Sequence, residues 1–399
     1  MKKALQFFCI FMIILIGCKP QRVIVQTPVE PQPKDTVVVV PAKPIFITSE
    51  GDTLESLEKE VDLSLTTVQP DTISIIAVGD IMMGTNFPNK SYLPADSGNL
   101  LWKSVGPLLK DADITFGNLE GVILDEGGEA KECKNPKACY LFRTPDHLSR
   151  HFTDNGFDLL SLANNHANDF GATGRKNTQK VLDSIGIAFA GSIELPSTRL
   201  NKKRVRIGMV AVSPNKGTLL IHDEAKILAI VQQLDSLNDL VIVSFHAGAE
   251  GSKNKHVTRK REYYYGEDRG NVYEFSHRMI DHGADLLIGH GPHVPRAMEI
   301  YKDRIIAYSL GNFLTYGRFN LRGTNGEAPL LKLWLTPEGK FLTGKIESFY
   351  QDYSLGPRPD KKLRALKSIK NLTQEDFPET PLTFDDSGRI IYLQNEKQN

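Results

Sequence analysis

Residues 73–78, Ile-Ser-Ile-Ile-Ala-Val, make a short β-branched apolar run of the kind that fills a buried strand, and it gives way abruptly to Gly79 and Asp80. Runs of the same type occupy 113–116, 157–163, 205–212, 240–245, 284–288 and 305–310. Between them, Ile227, Ile230, Val231, Leu234 and Leu237 recur at helical spacing, as do Val272, Phe275, Met279 and Ile280, which predicts two amphipathic helices. Alternation of strand and helix implies an α/β core with parallel pairing. Farther along, 330–335 and 341–349 flank a Gly-containing turn and predict an antiparallel hairpin, with one late strand at 389–393. The expected architecture is one main α/β domain in which two sheets pack together with helices outside, an α/β/β/α sandwich.

The polar residues that close these runs are not of random type. Asp80 follows the first, Asn118 and Glu120 the second, Asn165 and His166 the third, and His246, His290 and His293 close two later ones. Ligands in open α/β sheets bind at the carboxyl ends of strands, so a shared site is expected there. Imidazoles, carboxylates and an amide oxygen together suit Mn, Zn or Fe better than Ca²⁺ or Mg²⁺. Asp80, Glu120, Asn165, His246, His290 and His293 are therefore candidate ligands for one or two divalent ions, Glu120 having two oxygens to share. His166, next to Asn165, is expected to face away from its neighbour's metal and serve as an acid, with Asp169 setting its tautomer. Arg143 and Arg296 are candidates to face an anion. Lys253, Lys255, Arg259, Lys260 and Arg261, followed by Tyr263, Tyr264 and Tyr265, read as a solvated charge run or, alternatively, as a basic lid.

The ends of the chain add location. Lys2 and Lys3 precede an apolar stretch over 5–16, too short to span a bilayer, and Leu15-Ile16-Gly17-Cys18 resembles a lipobox. The expectation is a lipoprotein signal peptide over 1–18, a Cys18 that receives lipid, and a body held outside the cytoplasm on a cell-envelope membrane, in the periplasm or at the cell surface. Residues 19–70, rich in Pro, Val and Thr, read as a tether with a reach of roughly 40 Å. The domain is expected over 71–350, with 351–399 packing on it or trailing it. Cys133 and Cys139 are an even pair suited to a disulfide across a short turn in an oxidising compartment. With 48 basic and 48 acidic residues, charge gives no reason to expect nucleic acid as a partner.

Six ordered segments carry a family resemblance: Gly79-Asp80-Ile81-Met82-Met83-Gly84, Asn118-Leu119-Glu120-Gly121, Ala163-Asn164-Asn165-His166 with Asp169 and Gly171, His246-Ala247-Gly248-Ala249-Glu250, Gly289-His290-Gly291-Pro292-His293-Val294, and Tyr308-Ser309-Leu310-Gly311-Asn312-Phe313. Together they resemble the capsule-synthesis CapA family, associated with poly-γ-glutamate capsules and similar to calcineurin-like metallophosphoesterases. The resemblance implies a metallophosphatase-like two-sheet sandwich with the six ligands above and His166 assisting the leaving oxygen. Asn118, Arg143, Glu250 and Asn312 are expected beside the ligands or on the substrate. It implies a metal-dependent hydrolase acting on a phosphoester through a metal-bound hydroxide. The alternatives are a γ-glutamyl amide hydrolase, or a non-catalytic assembly or export component that binds an anionic polymer alongside other capsule proteins. Two departures stand out: Met82 occupies the place of the superfamily's usual His, and Glu120 that of an Asp.

Overall fold

Residue alternation explains how two sheets share one core. The computed structural model describes residues 72–132 and 140–393; the proposed signal segment with Cys18, the tether and the Cys133–Cys139 pair lie outside them. In the strand Ile73–Met82, Ile73, Ile75 and Ala77 point into an apolar layer that also contains Ile207, Met209, Ile242, Leu286 and Ile305 from the opposing sheet. Ile76 and Val78 point the other way, onto Trp102, Val105, Leu109 and Leu182. The second sheet repeats the device, with Val210, Val212 and Val243 packed on Ile227, Val231, Phe275 and Met279 of the helices Glu224–Leu237 and Val272–Asp281. Strands covered on both faces must be apolar throughout, hence runs rather than alternation in the sequence. The result is the helix, sheet, sheet, helix sandwich.

Parallel pairing fills one half of the first sheet and the centre of the second. In the first sheet Ile73–Met82, Ile114–Leu119, Leu159–Ser161 and Ala188–Ala190 are parallel neighbours. Its other half is antiparallel, led by the predicted hairpin, here Glu327–Leu335 and Phe341–Asp352. In the second sheet Val205–Val212, Leu240–His246, Leu286–His290 and Arg304–Ala307 are parallel, while Ser197–Lys202 and Met298–Tyr301 add antiparallel edges. Residues after 350 are woven into this fold. Gly356–Pro359 and Arg389–Tyr392 pair with Phe341–Asp352, and Arg364–Asp376 buries Leu366 and Ile369 in the layer between the sheets.

Register brings the polar strand ends together. His246 lies opposite His290 in one sheet, and Asp80 opposite both Asn118 and Asn312 in the other. The register shifts at Asp80 against both of its parallel neighbours, so the pairing there is irregular.

Candidate metal site

Asp80, Glu120, His246 and His290 are wholly buried where the two sheets' strand ends meet. Asp80 Oδ2 lies 2.8 Å from His293 Nδ1, and Asp80 Oδ1 lies 3.2 Å from His290 Nδ1. Glu120 Oε1 is 3.9 Å from His293 Nε2, and Glu120 Oε2 is 3.9 Å from His246 Nδ1. Glu120, His246 and His293 each offer a ligand atom within 4.8 Å of the others.

Whether these residues suit a cation is answered by what they lack. Glu120 Oε1, Asn165 Oδ1, both ring nitrogens of His246 and Nε2 of His290 are buried with no hydrogen-bond partner among the described residues. A buried polar atom left unsatisfied costs about 1–3 kcal/mol, and so many side by side are costly unless one shared partner satisfies them. The nitrogen and oxygen donors fit a divalent transition ion.

The charges are strained accordingly. Burial, reinforced by Asp80, holds the Glu120 carboxyl well above its ordinary range. Burial also keeps the His246 imidazole well below its own. For His293 burial alone would act downward, but the Glu120 and Asp80 carboxylates outweigh it and push the ring up to about 10. Asp80 resists its burial in the same way, held below the carboxylate range by His290 and His293.

His166 stands at the edge of this cluster. Its Nδ1 lies 2.7 Å from Asp169 Oδ2, which also accepts the Phe142 N–H at 2.8 Å. Its Nε2 lies 3.9 Å from Glu120 Oε1. The ring therefore faces the cluster rather than away from it, because residues 164–169 form a turn and not an extended segment.

The other candidates separate. Asn118 donates from Nδ2 to Asp80 Oδ1 at 2.8 Å and to Glu120 Oε2 at 3.0 Å. Asn312 Oδ1 is buried without a hydrogen-bond partner among the described residues, and Glu250 meets Arg269 Nη2 at 3.1 Å while its charge acts on Glu120 and His293. Arg143 is engaged with Asn86 Oδ1 at 2.6 Å and the Gly127 carbonyl at 2.9 Å, its guanidinium lying over the Phe87 and Phe170 rings. Arg296 does not face an open anion site. It is buried against Glu262 at 2.7 Å, pinning the loop that follows His246. Arg259 and Arg261 are paired with Glu379 at 2.5 Å and Asp268 at 2.6 Å. The Met82 thioether accepts the Gly84 N–H at 3.2 Å.

Two buried residues at the site carried no assignment from sequence. Asn164 reads as one more turn residue in a polar stretch, although its doubling with Asn165 was a signal. Arg269, which also donates to the Gly248 carbonyl at 3.2 Å, sits in a charged segment that offered none. Beside Asn165 a cavity of about 610 Å³ is lined by Lys131, Asn168, Arg175, Lys216, Glu129 and Glu267 among others.

Residues 74–316 match the family model described as "Bacterial capsule synthesis protein PGA_cap", more than half of the chain. The chain is 29% identical over 263 residues to the capsule biosynthesis protein CapA of Bacillus anthracis, covering 61% of this chain and 60% of that protein. It is 26% identical over 346 residues to the PGA biosynthesis protein CapA of Bacillus subtilis, covering 80% of this chain and 84% of that one. Among solved structures, a phosphatase from Mycoplasma pneumoniae aligns with a TM-score of 0.44 at 13% identity, over 73% of this chain and 96% of its own. The calcineurin-like phosphoesterase YfkN from Bacillus subtilis aligns with a TM-score of 0.37 at 12% identity, over 77% and 98%. At these scores the chemistry rests on this chain's own residues.

Proposed function

The chain belongs to the bacterial capsule synthesis family, and from that footing we propose that it is a metal-dependent hydrolase of capsule synthesis acting on a phosphoester. The observation that carries this reading is the set of buried, unpartnered donors on Glu120, Asn165, His246 and His290. Asp80, Glu120, Asn165, His246, His290 and His293 would hold the ion. A divalent ion in such a site supplies Lewis acidity toward a phosphoryl oxygen and lowers the pKa of water toward neutrality. Asp169 orients His166 with Nε2 toward Glu120, the position from which a proton reaches a leaving oxygen. The cavity beside Asn165 leaves room for the rest of a substrate. With the lipobox at Cys18 and the tether, the proposal extends to a body anchored outside the cytoplasm, where an anionic capsule polymer is assembled.

The test is a panel of phosphoesters and γ-glutamyl peptides offered to the metal-loaded protein. The expected result is phosphoester turnover that falls about 10²–10⁴-fold in His166→Ala, with metal affinity held within about threefold. Turnover of the peptides alone would move the reaction to an amide, and His166→Ala turnover equal to wild type would remove His166 from the chemistry.

One observation favours a second reading, a component that binds polymer without turning it over. Met82 stands where the superfamily carries a ligand, and its sulfur is engaged by Gly84. That reading predicts polymer binding with no turnover, and full restoration of capsule by a His166→Ala protein.

A further inference from the structure

Two side-chain amides join the carboxylates to the turn that carries His166, and backbone groups fix which way each amide points. Asn164 is wholly buried. Its Nδ2 donates to the Leu119 carbonyl at 2.7 Å, and its Oδ1 accepts the His166 N–H at 3.1 Å. A carbonyl cannot donate and an N–H cannot accept, so Asn164 has one orientation. The same Nδ2 reaches Asn118 Oδ1 at 3.2 Å. That contact settles Asn118 in turn, with its oxygen toward Asn164 and both N–H groups toward the carboxylates, at 2.8 Å from Asp80 Oδ1 and 3.0 Å from Glu120 Oε2.

We propose that Asn118 and Asn164 are positioning residues, an amide relay that holds Asp80 and selects which Glu120 oxygen is presented to the metal, and that ties this choice to the backbone of His166. Each carboxylate has one oxygen pinned by Asn118. The remaining Glu120 oxygen, Oε1, is the one left without a partner, and it is 3.9 Å from both His166 Nε2 and His293 Nε2. Asn118 is thus a donor to the ligands rather than a ligand, and Asn164 acts only through it. The proposal rests on the metal-site reading and not on which bond is cleaved.

The test is Co²⁺ binding to the full chain, followed by calorimetry and by the visible absorption of the bound ion. Outer-shell partners of metal ligands typically contribute 10–100-fold in affinity. Asn118→Ala is expected to weaken Co²⁺ binding by about that factor and to change the absorption bands. Asn164→Ala is expected to weaken it too, and the double variant to bind no more weakly than Asn118→Ala alone. A folded Asn118→Ala protein with wild-type affinity and spectrum overturns the relay, as do losses that simply add in the double variant. Should the alanine variants not fold, Asn164→Asp keeps the volume and removes the donor; its affinity must fall at least about tenfold, and an unchanged value overturns the proposal. A wild-type chain that binds no Co²⁺ overturns the metal reading and the relay with it, whereas wild-type binding with indifferent variants overturns the relay alone.

Discussion

His293 reaches the cluster by a left-handed backbone, φ +58°, a conformation costing a non-glycine residue of order 1 kcal/mol or more. That turn sets Nδ1 on Asp80 and aims Nε2 at Glu120. Without metal the ring is held protonated, pushed up to about 10 by the two carboxylates, which outweigh its burial. Because its folded value is raised, the charge contributes stability that is full below the unfolded value near 6.5 and is lost as pH rises through about 10. A metal ligand must be unprotonated, so binding displaces this proton and any held by Glu120, whose carboxyl burial and Asp80 push upward. Apparent metal affinity should therefore climb with pH until about 10, where the ring loses its proton unaided, with about one proton or more released per ion below that. Calorimetry in buffers of different ionisation enthalpy measures this, and a flat profile with no release would count against it. At this scale the clustered residues were legible because a carboxylate or imidazole is conspicuous where an apolar run stops. Arg143 and Arg296 were not, since a cation's partner depends on chain brought in from elsewhere: Asn86 and Gly127 for one, Glu262 for the other.

The elements hold these side chains through close backbone approach. Gly289, one residue before His290, leaves no space for a Cβ, which would strike the Tyr308 carbonyl and lie 2.6 Å from Phe245 Cζ. Gly289→Ala must therefore separate the strand Leu286–His290 from the segment at Tyr308, or twist His290 out of place. Overpacking of this kind costs about 1–3 kcal/mol. Thermal unfolding should show a lower midpoint and calorimetry a weaker metal site; a variant matching wild type in both would mean the strand ends are pliant enough to absorb a methyl group. The two helices with apolar stripes were readable from sequence. Gly171–Ser184 was not, because the face it buries is Gly174, Thr178 and Leu182, which small and polar residues disguise. Arg364–Asp376 does bury Ala365, Leu366, Ile369 and Leu372, but charged neighbours and flanking prolines hid the stripe. The second sheet's antiparallel edges, Ser197–Lys202 and Met298–Tyr301, were missed because strand-helix alternation informs only on parallel strands.

At the scale of the molecule the site is a seam. Asp80, Glu120 and Asn165 belong to the strand ends and turns of the first sheet, and His246, His290 and His293 to those of the second. The sheets are already joined by an apolar layer running from Ile75 and Phe116 to Met209, Ile242 and Ile305, so the metal-free protein should stay folded. An ion held from both sides binds the docked arrangement and not the unfolded chain, and so adds its binding energy to stability. At a free concentration of 100 times Kd that addition is about 2.7 kcal/mol, enough to raise the unfolding midpoint by several degrees. Removing a ligand from either sheet, Asp80→Ala or His246→Ala, should abolish the shift equally, while chelator-treated wild type keeps its native circular dichroism. A midpoint that rises as much in these variants as in wild type would place the ion somewhere other than the seam. Loss of the shift in only one of them would confine the ion to a single sheet and remove the reason for the two to meet there.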